Sequence, residues 1–215
     1  MTSLVIETSY LDFSNMSPFE ESHVLAAIFD CIKCASDYCG KVFGGFVRDV
    51  IVPRLNDRNC RIKFKDVDLW FDSHKDASKF IMRMGNKLIK SDVKFTNGLY
   101  PDECTRQQFN LINNDTIVAW IDIIVSPKLP VNDFDVNTVT YWLNNYSVWK
   151  TNSPDYLITQ IINKEASMLL TYKQLIDNAP DISNDLQPKS FYHNRINRIF
   201  TSKGWKVYIP LDSSK

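Results

Sequence analysis

Apolar positions in the first two thirds of the chain switch repeatedly between a helical period and a strand period. The helical segments run over 18–39, 46–55 and 75–89. The strand-like segments run over 41–43, 61–71, 109–113 and 116–125. This alternation predicts an α/β fold in which a mixed sheet is flanked by helices.

The first helix has clear start and stop signals. Ser17-Pro18-Phe19-Glu20 reads as an N-cap, a proline in the first turn and a capping-box glutamate. Gly40 is a suitable stop, because glycine commonly follows the last helical turn. Pro53 is expected to end or kink the second helix, since proline lacks the backbone N–H that a helix interior needs.

After residue 133 the pattern becomes mostly helical. Helices are predicted over 136–143, 157–177 and 191–203, with a change of character near 145–154. We therefore expect an α/β domain over 1–150 and a short, mostly helical appendage over 151–215.

Charge and composition exclude several classes of protein. The 25 Lys and Arg residues balance 25 Asp and Glu residues, so bulk attraction to nucleic acid is not expected. A hydrophobic content of 44% supports a packed core rather than a disordered chain. Five cysteines without a leader-like or membrane-length apolar segment favour free thiols, a cytoplasmic location and no membrane partner.

Two carboxylates two residues apart are the first candidate for chemistry. Asp66 and Asp68 would point to one face of a strand, where each raises the pKa of the other. A hard divalent cation such as Mg²⁺ relieves that repulsion. The alternative is an ordinary solvated strand face, which an Asp-x-Asp pattern alone does not exclude.

Asp122 is the only acid in the apolar strand over 116–125. A carboxylate there must be paired, hydrogen-bonded or metal-bound, although it could also cap a turn at the strand end. Three carboxylates on two adjacent strands would hold two metal ions for phosphoryl transfer.

A glycine pair precedes the second helix. Gly44 and Gly45 would let backbone N–H groups approach a phosphate without a Cβ atom in the way. Arg48 could bind a phosphate or an internal carboxylate. A Gly-Gly pair alone more commonly forms a tight loop without a ligand.

Several motifs occur in an order that resembles the nucleotidyltransferase superfamily of DNA polymerase beta, above all the head domain of CCA-adding enzymes and bacterial poly(A) polymerases. They are Gly44-Gly45-Phe46-Val47-Arg48-Asp49, Asp66-Val67-Asp68, the acidic strand with Asp122, Asp133-Phe134 with Asn137, Arg195-Ile196-Asn197-Arg198, and Gly204-Trp205.

The resemblance implies transfer of a nucleotide from a nucleoside triphosphate (NTP), such as ATP, to an acceptor hydroxyl, with release of pyrophosphate. An RNA 3′ end is the preferred acceptor. Asp66, Asp68 and Asp122 would be the catalytic residues and the ligands of Mg²⁺ or Mn²⁺. The implied nucleotide-binding residues are Gly44, Gly45, Arg48, Asp133, Asn137, Arg195 and Arg198.

Three departures from the family pattern leave other functions open. Asn132 replaces an arginine, Phe191 and Tyr192 stand where two base-selecting acids are expected, and no sequence resembling the tRNA-binding body and tail follows Trp205. CCA addition to tRNA is therefore not expected. The alternatives are a catalytically inactive binding or scaffold subunit, and a toxin-like enzyme that modifies tRNA or a protein.

Overall fold

The computed structural model describes residues 11–12, 16–57, 63–64, 66–92, 103–131, 133–171, 174 and 188–210, with only the backbone at 11, 12, 18, 63 and 188–192. Helices lie at Pro18–Asp37 (α1), Gly44–Phe46 (α2), Val52–Asn56 (α3), His74–Met84 (α4), Asp155–Asn163 (α5) and Pro188–Ile199 (α6). Short 3₁₀ turns lie at Gly85–Lys87, Asp135–Thr138 and Thr201–Lys203, and a π-helical turn at Val47–Ile51.

Strands lie at Leu11–Asp12 (β1), Lys41–Phe43 (β2), Lys63–Phe64 (β3), Val67–Phe71 (β4), Leu88–Lys90 (β5), Thr105–Asn113 (β6), Thr116–Val125 (β7), Trp142–Leu143 (β8), Trp149–Lys150 (β9), Glu165–Ser167 (β10) and Lys206–Tyr208 (β11). The main sheet has the order β2-β4-β7-β6-β5. Its β4–β7 pair is parallel and the other pairs are antiparallel. The predicted α/β class with a mixed sheet is confirmed.

The strand β4, second in the sheet, shows why the sheet positions carboxylates. Val67, Leu69 and Phe71 are buried, as expected for one face of an alternating strand. The intervening positions project to the other face, and Asp68 lies directly beside Asp122 of β7 in the parallel register. The alternation therefore buries one face of β4 and places Asp68 on the other face, next to Asp122 of β7.

The predicted ends of α1 are close to those observed. Ser17 and Glu20 form both hydrogen bonds of the capping box. At the other end, Cys39 adopts a positive φ of 63°. The Gly40 N–H donates to the Ala35 carbonyl at 2.8 Å, which closes the helix as in a Schellman motif. The left-handed residue is thus Cys39, one position before the predicted glycine.

Pro53 does not break the second helix. The segments over 44–56 form one continuous helical path, and a π-helical turn precedes the proline. Within it the Val52 N–H donates to the Val47 carbonyl, one residue farther back than in an α-helix. This wider turn accommodates a residue that cannot donate a backbone hydrogen bond.

One predicted helix is wrong, and another is shorter than predicted. The segment over 136–143 is a 3₁₀ turn followed by extended chain, because Tyr141 forms a bridge to Val42 at the edge of the main sheet. The helix predicted over 157–177 ends at Asn163, where Lys164 takes a left-handed conformation with φ of 55°. Residues 165–167 form β10 instead, paired in parallel with β11.

Other boundaries move by a few residues. The helix predicted over 75–89 ends at Met84, where Gly85 has a positive φ of 56°. The strand predicted over 61–71 is two strands, β3 and β4, and residues 61, 62 and 65 lie outside the described ones.

None of the described helices is both long enough and apolar enough to cross a membrane.

The C-terminal elements pack on the α/β layer. The Phe200 ring lies against the Phe134 ring, with 4.5 Å between centroids, and the Trp205 ring also packs against Phe200, at 5.3 Å. Phe134 and Phe200 are fully buried. The segment after residue 150 therefore shares its core with the first part of the chain.

The capping box gives a test of the helix start. Replacing the cap in Ser17→Ala should lower the free energy of unfolding by about 0.5–2 kcal/mol, because the Glu20 N–H loses its acceptor. Ser22→Ala, at an exposed position of the same helix, should change it by less than about 0.5 kcal/mol. Urea denaturation measures both. Equal effects would contradict a stabilising role for the cap.

Candidate functional site

A single cleft of about 240 Å³ contains nearly all the residues selected from the sequence. Its lining is Phe43, Gly44, Gly45, Arg48, Phe64, Asp66, Asp68, Arg106, Pro130, Val131, Asp133, Asn137, Arg195, Arg198, Ile199 and Lys203. Nine of the ten predicted site residues are in this set, and Asp122 is not.

Gly44 and Asp68 approach each other closely. Gly44 follows β2 with a φ of +68°, a conformation that favours glycine. A Cβ atom at this position would lie 2.8 Å from Oδ2 of Asp68. The glycine therefore allows both the turn and the position of the carboxylate beneath it. Gly45 is less constrained, because its nearest neighbour to an added Cβ would be Arg48 Nη2 at 3.7 Å.

Asp68 is held where its charge is unfavourable. Burial raises its pKa well above the usual aspartate range, and the neighbouring charges of Asp66 and Asp122 raise it further. Arg106 and Arg195 act in the opposite direction without cancelling the effect. Asp68 is therefore a carboxyl group whose ionised form the neighbouring cations do not fully stabilise.

Asp122 has protein partners for both oxygens. Arg106 Nη2 donates to Oδ2 at 2.5 Å, and Gln108 Nε2 donates to Oδ1 at 2.9 Å. The Asp122 side chain is fully buried beside Asp68. Of the open possibilities for this residue, pairing and hydrogen bonding are the ones observed.

The fit to a divalent cation is therefore limited to Asp66 and Asp68. Both side chains reach the cleft, and carboxylate oxygens are suitable ligands for Mg²⁺ or Mn²⁺. Within the part of the chain that the structure describes, no three His, Cys, Asp or Glu side chains form a group able to hold a metal ion. A two-carboxylate site would need further ligands from a substrate or from water.

A buried arginine organises the wall of the cleft beside the glycine turn. Arg48 donates from Nε and Nη2 to the two oxygens of Asp49, at 2.9 and 2.7 Å. Lys203 Nζ donates to the same Asp49 carboxylate at 2.7 Å. The Arg48 guanidinium also lies over the Phe200 ring, 4.8 Å from its centroid.

The same arginine connects to a second acid through an amide. Arg48 Nη1 donates to Oδ1 of Asn137 at 2.9 Å, and Asn137 Nδ2 donates to Asp133 at 3.1 Å. Arg195 of α6 donates to the other oxygen of Asp133, with Nη2 at 2.6 Å. A polar network thus runs from Lys203 through Asp49 and Arg48 to Arg195; we call it the arginine network.

The acids of the arginine network are well compensated. Burial alone would raise the pKa of Asp133, but Arg195 and the hydrogen bonds from Asn137 and the Phe134 N–H hold it below the usual value. Asp49 behaves in the same way, with Arg48 and Lys203 outweighing its burial. These two carboxylates are therefore ionised structural partners, in contrast to Asp68.

The sequence missed two residues that hold Asp122. Arg106 and Gln108 lie on β6, next to the strand that carries Asp122. Arg106 and Gln108 are two residues apart, so a strand places both side chains on the same face as Asp122. This signal can be used only when the pairing of β6 with β7 is known. Arg198 lines the cleft with an exposed side chain.

Some predicted features lie outside the described residues. These are Asn132 and the side chains of Phe191 and Tyr192. Two residues close to Asp68 in sequence do not line the cleft: His74 is exposed at the start of α4, and Trp70 donates its indole N–H to the Ser126 carbonyl at 3.0 Å.

The two glycines provide a matched pair of variants. Gly44→Ala should lower the free energy of unfolding by about 1–2 kcal/mol or more, because of its positive φ and the contact with Asp68. Gly45→Ala should be neutral or slightly stabilising, since an added Cβ has room there and alanine favours the helix. Chemical denaturation distinguishes them, and similar losses in both would contradict this account of the turn.

The pKa of Asp68 predicts a pH-dependent gain on neutralisation. A carboxyl whose pKa is raised by folding destabilises the folded state progressively as the pH rises above its unfolded pKa. With chelator present, Asp68→Asn should therefore be more stable than the wild type at about pH 7, and the gain should shrink towards about pH 5. Asp72→Asn, at an exposed position, is the control. A loss of stability at neutral pH would contradict the burial argument.

Comparison with known proteins does not assign this chain to a family. No protein-family model matches the chain, and no curated protein is significantly similar to it in sequence. The resemblance to nucleotidyltransferases therefore rests on the motifs and on the cleft that nine of the ten selected residues share.

Proposed function

We propose that this chain is a divalent-metal-dependent nucleotidyltransferase that uses the cleft as its active site. One observation carries the proposal: Asp66 and Asp68 lie beside the Gly44 turn, in a cleft whose lining also contains Arg106, Arg195, Arg198 and Lys203. Acidic and basic groups that face one space are suited to a substrate that brings both a metal ion and phosphates.

The basic lining suits a triphosphate. Arg198 is exposed at α6, and Arg195 reaches the cleft while it anchors on Asp133. Gly44 and Gly45 present backbone without side chains to the same cleft. The phosphates would therefore lie between the glycine turn and the guanidinium groups of α6.

The proposed reaction forms one P–O bond and breaks another. An acceptor hydroxyl oxygen attacks the α-phosphorus, a new P–O bond forms, and the bond to the β-phosphate breaks to release pyrophosphate. The hydroxyl proton passes to water or to a cleft carboxylate. A divalent cation held by Asp66 and Asp68 would supply neutralisation of the phosphate charge during this step.

An RNA 3′ hydroxyl is the acceptor we favour. The described part of α6 and the turn after it present Arg195, Arg198 and Lys203 to the cleft, so a polyanionic strand could approach from this side. A protein hydroxyl or a small molecule would satisfy the same chemistry, and the acceptor assay below separates them.

One observation favours a second candidate, a binding subunit without catalysis. The Arg106 guanidinium already neutralises Asp122, a role that a metal ion would have in a three-carboxylate site. Such a protein would bind a nucleoside triphosphate without requiring a divalent cation and would transfer nothing.

The central test uses labelled nucleotide. Each α-labelled triphosphate is incubated with the protein, Mg²⁺ or Mn²⁺, and either an RNA pool or no added acceptor. We expect metal-dependent labelling of RNA, and a fall of about 10²- to 10³-fold in Asp68→Asn, because the variant loses a charged ligand. Asp72→Asn should retain wild-type activity.

The outcomes separate the two candidates. Labelling of the protein itself, or of neither RNA nor protein despite metal-dependent triphosphate binding, would exclude RNA as the acceptor. Metal-independent triphosphate binding without any transfer would favour the binding subunit. Absence of both transfer and triphosphate binding would overturn both candidates.

A further inference from the structure

The two acidic strands carry different kinds of carboxylate. Asp66 and Asp68 of the β4 region line the cleft, whereas Asp122 of β7 does not. Asp68 and Asp122 are register partners in the parallel β4–β7 pair, so their side chains project from the same face of the sheet. Asp68 and Asp122 therefore differ in the side chains that contact them and not in their position in the sheet.

The partners of Asp122 come from the next strand of the sheet. Gln108 of β6 is its register partner, and Arg106 lies two residues away on the same face. Together they donate to both carboxylate oxygens, at 2.9 and 2.5 Å. A buried carboxylate in this arrangement already has a counter-charge and a hydrogen-bond donor on each oxygen.

The positive charge beside Asp122 leads to the same distinction. The Arg106 guanidinium is in contact with Asp122 and opposes its negative charge. A second cation near Asp122 would have to compete with a guanidinium that is already in contact with it.

We propose that Arg106 is a positioning residue that retains Asp122 as its own ion-pair partner, so that the cleft binds a single divalent cation through Asp66 and Asp68. This inference rests on the proposed function. It departs from the three-carboxylate, two-metal arrangement that the motifs alone imply. Arg106 supplies a fixed positive charge beside Asp122, where a second cation would otherwise bind.

Metal stoichiometry tests this directly. The protein is brought to equilibrium dialysis with Mn²⁺ and a saturating α,β-methylene analogue of ATP, which cannot be cleaved at the α-phosphorus. The excess Mn²⁺ on the protein side is counted per chain. We expect one Mn²⁺ for the wild type and two for Arg106→Gln, because Asp122 becomes available when the guanidinium is removed.

Two controls separate charge from a general disturbance. Arg106→Lys keeps a positive charge beside Asp122 and should remain at one Mn²⁺ per chain. Arg83→Gln removes an exposed arginine on α4 and should also remain at one. Two Mn²⁺ in Arg106→Lys, or one in a folded Arg106→Gln, would overturn the role of Arg106.

A double variant keeps the test decisive if Arg106→Gln does not fold. Arg106→Gln with Asp122→Asn removes both partners of the ion pair while it preserves the net charge. It should still bind one Mn²⁺ with an affinity within about threefold of the wild type. Loss of that site would show that Asp122 is a ligand and would overturn the inference.

The result for the wild type distinguishes failure of this inference from failure of the proposed function. Two Mn²⁺ per chain would overturn the single-cation site and leave the nucleotidyltransferase proposal standing. No bound Mn²⁺ would contradict the metal-dependent function itself, and the inference with it.

Discussion

Burial of the Arg48 guanidinium is the constraint on which the site depends. The side chain is only 4% exposed, and a buried charge is tolerated only with matched partners. Those partners come from distant parts of the chain: Asp49 is adjacent, Asn137 follows the sheet, and Phe200 belongs to the C-terminal segment. The arginine therefore has all of these contacts only when the three regions have assembled, and the apolar core that the segment after residue 150 shares with the α/β layer holds them together. The cleft forms where these regions meet.

Charge compensation divides the acids around the cleft into two groups. Asp49 and Asp133 have lowered pKa values because cations and hydrogen bonds outweigh their burial. Asp68 has a raised pKa because burial and two acidic neighbours outweigh Arg106 and Arg195. A fold selected for stability alone would not keep such an imbalance, since neutralising one carboxylate would remove it. The uncompensated charge is confined to the place where a cation could bind, while the surrounding acids are neutralised by the protein.

Local signals made much of the fold predictable, and contacts between distant residues explain the rest. The capping box at Ser17, the glycine turn at Gly44 and the alternation of β4 act within a few residues, so the sequence alone identifies them. The helix predicted over 136–143 fails because Tyr141 pairs with β2, a partner that periodicity cannot reveal. The candidate site was found through its motifs, but the partners of its residues were not. Whether Arg48 met a phosphate or a carboxylate stayed open in the sequence, and Arg106 was missed because its significance depends on the β6–β7 register.

The surroundings of Asp68 limit the directions in which its carboxylate can be used. On one side the backbone of Gly44 approaches it so closely that a Cβ atom would lie 2.8 Å from Oδ2. On the other side Asp122 repels it, and Arg106 and Gln108 hold that acid in place. Since Val67 and Leu69 pack into the opposite face of β4, the cleft containing Asp66 is the direction that remains. Gly44 and Arg106 thus have complementary effects: one permits the close approach of the chain and the other fixes the neighbouring charge. Together they direct one uncompensated carboxylate, with Asp66 beside it, towards the cleft.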